Sequence, residues 1–270
     1  LKSPEGLRYL LKYPRQFREG VSWEDITELI AAEIGTILGL EMMEVEIVTR
    51  NGRRGCLLRN FVERYEAEMN EEGGALLPSL VNEYVDLQES PLKNMALIEA
   101  GFQVMYKFDY WEHIKVKFIH MLLFDILIGN QDRHPFNWQI LFLKCGPRFS
   151  PIYDNGASLG FRFEDEQLLK RTSNTSEMNK YTNNTKVKAG LFEKKVVRAK
   201  DLLLYIKNYY PEELEDFINK LKNFNMERYK QFIQSFELLS EAQKAWLQQI
   251  IPFRRRKIFE WIEKEGEDYE

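Results

Sequence analysis

Apolar residues recur at two different spacings in the first sixty residues, which predicts strands and a helix in alternation. The segment 6–15 is apolar and extended in pattern, so we expect a strand there. From 22 to 38 the apolar positions follow a helical period, with Ser22 as the expected N-cap. Residues 43–48 alternate as in a half-buried strand, and the turn NGRRG at 51–55 leads into another. The predicted order is therefore strand, helix, strand, strand.

Helical periods dominate the chain after residue 90. Two long apolar helices are predicted over 92–108 and 111–129. A strand at 138–143 is predicted to follow, and then, over 149–156, a short strand that enters a turn. Four further helices are predicted to close the chain, at roughly 199–208, 211–223, 226–237 and 240–264.

Two segments lack a regular pattern. The acidic segment 64–90 contains EEGG and is expected to be a surface loop or hinge, and the polar segment 171–185 a mobile loop. We find no internal repeat. The sequence thus predicts an α+β protein of two lobes, a small N-terminal one over 1–90 and a larger helical one over 91–270.

Composition narrows the functional classes. The 270 residues are 44% hydrophobic and 13% aromatic, which is enough for a large core and excludes a disordered chain. The net charge of −4 argues against direct binding of nucleic acid. No segment approaches the roughly 18 uninterrupted apolar residues of a membrane span. Only two cysteines, Cys56 and Cys145, are present. We therefore expect a cytoplasmic protein that does not bind membranes.

The densest polar cluster lies in IGNQDRHPFNW, between a predicted apolar helix and a predicted strand. Charges in such a place are unfavourable unless they are paired, bind metal or perform chemistry. Asp132 and Asn137 have the D-x-x-x-x-N interval of a kinase catalytic loop, in which Asp accepts the hydroxyl proton and Asn binds magnesium. Asp154, in a D-x-G segment, follows the next strand and predicts a second magnesium ligand.

A phosphotransferase of this type also needs a cation for the phosphates on an earlier strand, and a Glu on the helix that follows. Lys12 ends the first predicted strand, and Glu28 and Glu33 lie on the next helix. These two glutamates point about 140° apart, so only one of them can serve. The order Lys, Glu, D-x-x-x-x-N, D-x-G predicts a two-lobed phosphotransferase that uses ATP and Mg²⁺.

These motifs resemble those of a known family. IGNQDRHPFNW and SPIYDNGASLG are similar to the catalytic and metal-binding segments of the HipA-like kinases, especially the small stand-alone members. RYLLKYP resembles their ATP-lysine strand, and the resemblance covers roughly residues 7 to 160. It implies a two-lobed protein-kinase-like fold, serine/threonine kinase activity on a protein substrate, and the option of an antitoxin-like partner.

The resemblance assigns roles within the two motifs. Asp132 would be the catalytic base, and Asn137 and Asp154 would be the magnesium ligands. His134 and Arg133 would shape the catalytic loop.

The resemblance extends to the first lobe, with one departure. Lys12 would bind the ATP phosphates, and Glu28 is preferred over Glu33 because it lies where the family's helix Glu falls. No Gly-rich phosphate loop precedes Lys12. Either that loop lies upstream of Leu1 or the phosphates are covered differently.

Two alternatives stay open. DRHPFNW is also similar to the D-R-H-x-x-N loop of phosphoinositide kinases, so the acceptor could be a non-protein hydroxyl, although the acidic charge balance argues against a lipid. A different class is a nucleotide-binding toxin–antitoxin interaction module without catalysis. The presence of the base and both metal ligands argues against this second alternative.

Overall fold

The first part of the chain is a three-stranded antiparallel sheet with one helix. The computed structural model describes residues 1–4, 6–17 and 20–264. The elements are β1 (Tyr9–Lys12), β2 (Gln16–Phe17), β3 (Gly20–Val21), α1 (Glu24–Ile37), β4 (Val45–Arg50) and β5 (Arg53–Arg59). The sheet has the order β1-β5-β4, and its strands pair in antiparallel register. The predicted order is confirmed, with a small β2–β3 hairpin added before the helix.

Helix α1 forms because its apolar residues recur on one face and are buried, as Ile26 and Ile30 show. Its first turn carries acidic residues, which the helix dipole favours. The prediction that Ser22 is the N-cap is wrong: the N-cap is Trp23, which makes no side-chain cap hydrogen bond. The Ser22 hydroxyl instead donates to Glu24 Oε2 at 2.9 Å.

The segment 64–90 is not the predicted loop. It contains the end of α2 (Phe61–Arg64), then β6 (Met69–Glu72), α3 (Gly73–Leu80) and α4 (Glu83–Glu89). Leu77 and Tyr84 anchor the two helices in the core, where they are almost completely buried. Helix α3 begins at Gly73, which packs against the Trp138 ring. A glycine is needed there, because a Cβ would lie 2.1 Å from a ring atom. These elements contact later parts of the chain, and a lobe boundary at residue 90 remains a prediction.

The second part is built around one long buried helix. Its first elements are α5 (Asn94–Tyr106), α6 (Trp111–Ile128), β7 (Gln139–Leu143) and β8 (Gly146–Phe149). Both predicted helices and the strand at 138–143 are confirmed. Strand β7 pairs with β6 on one side and β8 on the other. The strand expected over 149–156 is wrong beyond Phe149, because Ile152 makes only a single bridge, to Met42.

The segment 171–185 is helical, so the prediction of a mobile loop is wrong. It holds the end of α7 (Asp165–Thr172) and all of α8 (Thr175–Asn183). The Asn174 side chain caps α8 by accepting from the backbone N–H of Ser176 at 2.9 Å. Met178 and Thr182 are buried on its inner face. Local capping and two buried contacts thus hold a helix whose apolar pattern is too sparse to reveal it.

Two short strands and four helices complete the described chain. They are β9 (Lys186–Val187), β10 (Val197–Arg198), α9 (Ala199–Tyr209), α10 (Pro211–Lys222), α11 (Met226–Ser235) and α12 (Glu241–Lys264). The four predicted closing helices are confirmed. Over residues 1–4, 6–17 and 20–264, none of the helices combines the length and the apolar character that crossing a bilayer requires.

The packing of α8 can be tested by one truncation. Met178→Ala should lower the free energy of unfolding by about 2–4 kcal/mol, because Met178 is 4% exposed and its removal leaves a cavity. Leu169→Ala is the control: Leu169 is 53% exposed, and its loss should change stability by less than about 0.5 kcal/mol. Urea unfolding of both variants measures the difference. If the two variants unfold with equal free energies, Met178 is not packed and 171–185 is better interpreted as a loop.

Candidate active site

The loop from Asp132 to Asn137 follows helix α6, which ends at Ile128 and is capped by Gly129 with a left-handed φ of 69°. The backbone N–H of His134 donates to the Asp132 carbonyl at 2.8 Å, and that of Asn137 to the His134 carbonyl at 2.9 Å. The Asn137 side-chain amide also donates to the Asp132 carbonyl, at 2.9 Å. This bond fixes the orientation of the Asn137 side chain. Its Oδ1 accepts no hydrogen bond from the described part of the chain, so it is available to a ligand.

Arg133 joins this loop to the segment that carries Asp154. Its side chain is completely buried, and it forms an ion pair with Asp125 on α6, with Nε 2.9 Å from Oδ2. Its Nη1 donates to the carbonyls of Asn137, at 3.0 Å, and Tyr153. Its Nη2 donates to Asn155 Oδ1 at 2.5 Å. One guanidinium therefore fixes both segments that hold the predicted metal ligands.

Asp125 was not among the predicted site residues. A carboxylate inside the apolar second half of a helix indicates a buried cationic partner, and FDILIG carries that signal. Asn130 extends the network, because its Nδ2 donates to Asp125 Oδ1 at 3.0 Å while its Oδ1 accepts from the Asp132 N–H at 3.1 Å. Asp125 and Asn130 thus position the loop from Asp132 to Asn137.

Glu28 connects α1 to the same D-x-G segment. Its carboxylate accepts the backbone N–H of Asn155 and of Gly156, both at 2.8 Å. Burial raises the pKa of Glu28, and the charge of Lys12 opposes the shift. Gly156 is required here, because a Cβ would lie 2.8 Å from the Glu24 carbonyl oxygen. The helix glutamate therefore holds the D-x-G backbone as well as the lysine.

Lys12 lies between two carboxylates. Its Nζ contacts Asp154 Oδ1 and lies 3.7 Å from Glu28 Oε2. Burial would lower the pKa of Lys12, but the charges of Glu28 and Asp154 outweigh burial and raise it, so the amine stays charged. Glu33, the other helix candidate, pairs instead with Arg228 at 2.7 Å. The geometry thus brings Glu28, and not Glu33, to Lys12.

Asp154 combines a depressed pKa with an unusual backbone. Burial would raise the pKa of Asp154, but the adjacent Lys12 outweighs it and the carboxylate stays ionised. Its φ is 56°, in the left-handed region that non-glycine residues rarely adopt. Such strain is retained where surrounding contacts fix the backbone, and it is common at functional sites.

Asp132 lies between two cations that the sequence analysis did not select. Lys188 Nζ lies 2.8 Å from Asp132 Oδ1, and Arg15 Nη2 lies 3.4 Å from Oδ2. Arg15 is itself held by Glu24, with Nε 2.9 Å from Oε1. Neither cation belongs to a recognisable motif, so only the fold reveals them.

His134 lies in the middle of the Asp132–Asn137 loop and is bound to both ends through its backbone. Burial lowers the pKa of His134, so its imidazole is neutral near pH 7. Its Nδ1 has no hydrogen-bond partner among the residues described, and its ring centroid lies 6.0 Å from that of Phe136. The imidazole therefore contributes to the loop by packing.

The donor set suits a magnesium–nucleotide complex. Asn137 Oδ1 and the Asp154 carboxylate are hard oxygen ligands, which Mg²⁺ prefers, and it keeps several waters besides. Lys12, beside Asp154, supplies the positive charge that phosphate oxygens require. The residues present therefore fit Mg-ATP.

The fold and the site define a two-lobed protein-kinase-like α+β protein. No family model matches the chain. Among curated proteins it is similar to the serine/threonine-protein kinase CtkA of Helicobacter pylori, with 24% identity over 265 residues, 93% of this chain and 77% of that one. The crystal structure of the Helicobacter pylori proinflammatory kinase CtkA matches with a TM-score of 0.72 and 22% identity, over 99% of this chain and 90% of the other.

Two more distant structures share the fold. HipA of Shewanella oneidensis MR-1, in its complex with HipB and operator DNA, matches with a TM-score of 0.50 and 14% identity, over 91% of this chain and 58% of the other. The structure of hydra Fam20 with sugar matches with a TM-score of 0.50 and 14% identity, over 99% of this chain and 82% of the other. The predicted resemblance to HipA-like kinases and the predicted fold are confirmed, and the similarity to CtkA supports a protein kinase.

The buried ion pair gives a stability prediction. Asp125→Asn should lower the free energy of unfolding by about 3–5 kcal/mol, because it leaves the buried Arg133 guanidinium without its counter-charge. Glu33→Gln is the control, since it breaks the more exposed pair with Arg228 and should cost less than about 1 kcal/mol. Denaturant unfolding of the two variants gives both values. A loss below about 1 kcal/mol for Asp125→Asn would show that Arg133 does not depend on this carboxylate.

Proposed function

We propose that this protein is a serine/threonine protein kinase that transfers the γ-phosphoryl group of ATP, with Mg²⁺, to a protein hydroxyl. The observation that carries the proposal is the convergence of four separate segments on one site. Lys12 on β1 contacts Asp154, Glu28 on α1 holds the backbone next to Asp154, and Arg133 fixes that segment to the Asp132–Asn137 loop. A site of this composition has the parts that phosphoryl transfer needs.

Each residue has a defined task in this proposal. Asp132 accepts the proton of the attacking hydroxyl, because it is the carboxylate at the head of the D-x-x-x-x-N loop. Asn137 Oδ1 and the Asp154 carboxylate hold the metal, and Lys12 binds the phosphates. Glu28 keeps the Lys12 amine in place. When bound, Mg-ATP supplies the phosphoryl group and the metal charge, and the chain supplies position and electrostatics.

His134 has a supporting task. It gives the loop its shape, since its carbonyl accepts from the Asn137 N–H and its neutral ring packs beside Phe136. In this proposal it positions the metal ligand Asn137 and transfers no proton.

The nature of the substrate and partner rests on the similarities. CtkA is named as a serine/threonine-protein kinase, which supports a protein hydroxyl as the acceptor. HipA is found with HipB in a toxin–antitoxin complex, which supports an antitoxin-like protein as a candidate partner. We also propose a cytoplasmic location, which suits two free cysteines, Cys56 and Cys145.

The base assignment is tested by Asp132→Asn. This variant should bind Mg-ATP with unchanged affinity and lose about 10²–10⁴-fold in transfer rate, because it lacks the proton acceptor but keeps the metal ligands. Asp109→Asn, at an exposed position, should behave as wild type. Radiolabelled Mg-ATP with a panel of candidate proteins, and with the kinase itself, measures the transfer. A rate within tenfold of wild type would exclude Asp132 as the base.

The metal assignment is tested by thermal unfolding. Mg-ATP at a hundredfold excess over Kd should stabilise wild type by about 2.7 kcal/mol, which corresponds to a rise in Tm of about 5 °C. ATP with EDTA should give much less, since the phosphates then face the Asp154 carboxylate without a metal. In Asp154→Ala the effect of ATP should no longer depend on magnesium. If both proteins respond identically to magnesium, Asp154 is a structural residue and not a ligand.

A further inference from the structure

The catalytic loop itself offers no cation to a substrate. Between Asp132 and Asn137 the only permanently charged side chain is that of Arg133, which is completely buried and directed at Asp125. A cation nevertheless reaches this place from elsewhere in the chain. Lys188, just after β9, places its Nζ 2.8 Å from Asp132 Oδ1, and its side chain is only 19% exposed.

The segment that carries Lys188 is fastened to the catalytic loop. The Gly190 N–H donates to the Arg133 carbonyl at 2.8 Å, and Trp138 Nε1 donates to the Gly190 carbonyl at 2.8 Å. Ala189, between Lys188 and Gly190 in the chain, has a φ of 56°, a conformation that is unfavourable for a residue with a Cβ. Strain of this kind persists where the surroundings fix the backbone. The position of Lys188 is therefore set by the same contacts that order the loop.

The chemistry at Asp132 gives this amine a task. The hydroxyl that gives its proton to Asp132 attacks the γ-phosphorus, so the transferred group passes close to the carboxylate that Lys188 contacts. Its negative charge is spread over three equatorial oxygens, and cations fixed beside them stabilise the transition state. Lys12 lies on the Asp154 side of the site. Lys188 lies on the opposite side, at Asp132, where the acceptor hydroxyl would bind.

Arg15 also faces Asp132 but is less well placed for this task. Its Nη2 lies 3.4 Å from Asp132 Oδ2, its side chain is 47% exposed, and its Nε is paired with Glu24. Lys188 has the closer contact, and Asp132 is its ion-pair partner within the described chain.

We propose that Lys188 is a further catalytic residue, whose ammonium group contacts the phosphoryl group during its transfer. This inference rests on the proposed kinase function. As the acceptor O–P bond forms and the P–O bond to ADP breaks, ADP leaves with the bonding electrons and the hydroxyl proton passes to Asp132. Lys188 stays protonated throughout and donates hydrogen bonds to the phosphoryl oxygens.

The first test compares two lysines of one segment. Lys188→Met should lower kcat about 100-fold with less than a threefold change in KM for ATP, because the contact forms only in the transition state. It should also weaken binding of Mg-ADP with aluminium fluoride, a mimic of the transferred group, about 100-fold, while binding of Mg-ADP is unchanged. Lys186→Met, at an exposed position two residues earlier, should alter neither. Hydrolysis of Mg-ATP and calorimetry provide the readouts, with Lys188→Gln as a second variant if Lys188→Met does not fold.

The second test separates contact with phosphate from an effect through Asp132. In an Asp132→Asn background, Lys188→Met should still weaken binding of the analogue at least tenfold, since the partner of Lys188 is then the phosphoryl mimic. No further loss in that background would make Lys188 a positioning residue and overturn the proposal, as would equal analogue affinity in wild type and Lys188→Met. A wild type that binds Mg-ADP but neither hydrolyses nor transfers from Mg-ATP would instead refute the proposed function.

Discussion

The buried ion pair between Arg133 and Asp125 is the interaction on which the candidate site depends. Both side chains are removed from water, and such a pair rarely increases stability over an apolar pair of equal size. The ion pair instead holds several groups of the site in position. Because the guanidinium has five N–H donors in a rigid plane, it holds the carboxylate, the carbonyls of Asn137 and Tyr153, and the Asn155 side chain at the same time. The guanidinium thereby adds to the backbone hydrogen bond between the Gln131 N–H and the Ala157 carbonyl in holding the two chain segments together.

A second buried charge extends this relation to the first lobe. Glu28 is completely buried and accepts two backbone N–H groups of the D-x-G segment, so it ties α1 to that segment. The strained backbone of Asp154 lies between the Arg133 contacts and the Glu28 contacts. The proposed metal ligands, held in this way, would need little reorganisation when a ligand binds, which is the condition under which fixed charges are most effective.

The sequence predicted the parts of the site that lie in short motifs. Asp132, Asn137 and Asp154 lie in short motifs with a recognisable spacing, and Lys12 follows from the order of elements. That order left Glu28 and Glu33 open, and the family resemblance selected Glu28. Lys188 and Arg15 could not be predicted, because their role depends on long-range packing and neither lies in a motif. The helices at 73–89 and 165–183 were missed for another reason. In 73–89 the buried residues Leu77, Val81, Tyr84 and Leu87 do recur at a helical spacing, but two glycines and Pro78 interrupt the pattern. In 165–183 the buried residues, such as Met178, are sparse, and tertiary contacts and capping by Asn174 stabilise the helices.

In the structure, Asp154 and Asp132 are each paired with at least one cation. Asp154 has Lys12, and Asp132 has Lys188 and Arg15. In the proposed complex with Mg-ATP, Asp154 would hold the metal and Lys12 would bind the phosphates, so each would exchange its present partner for another of opposite charge. Glu28, 3.7 Å from the lysine, would keep the amine in place. No buried charge would then be left without a partner.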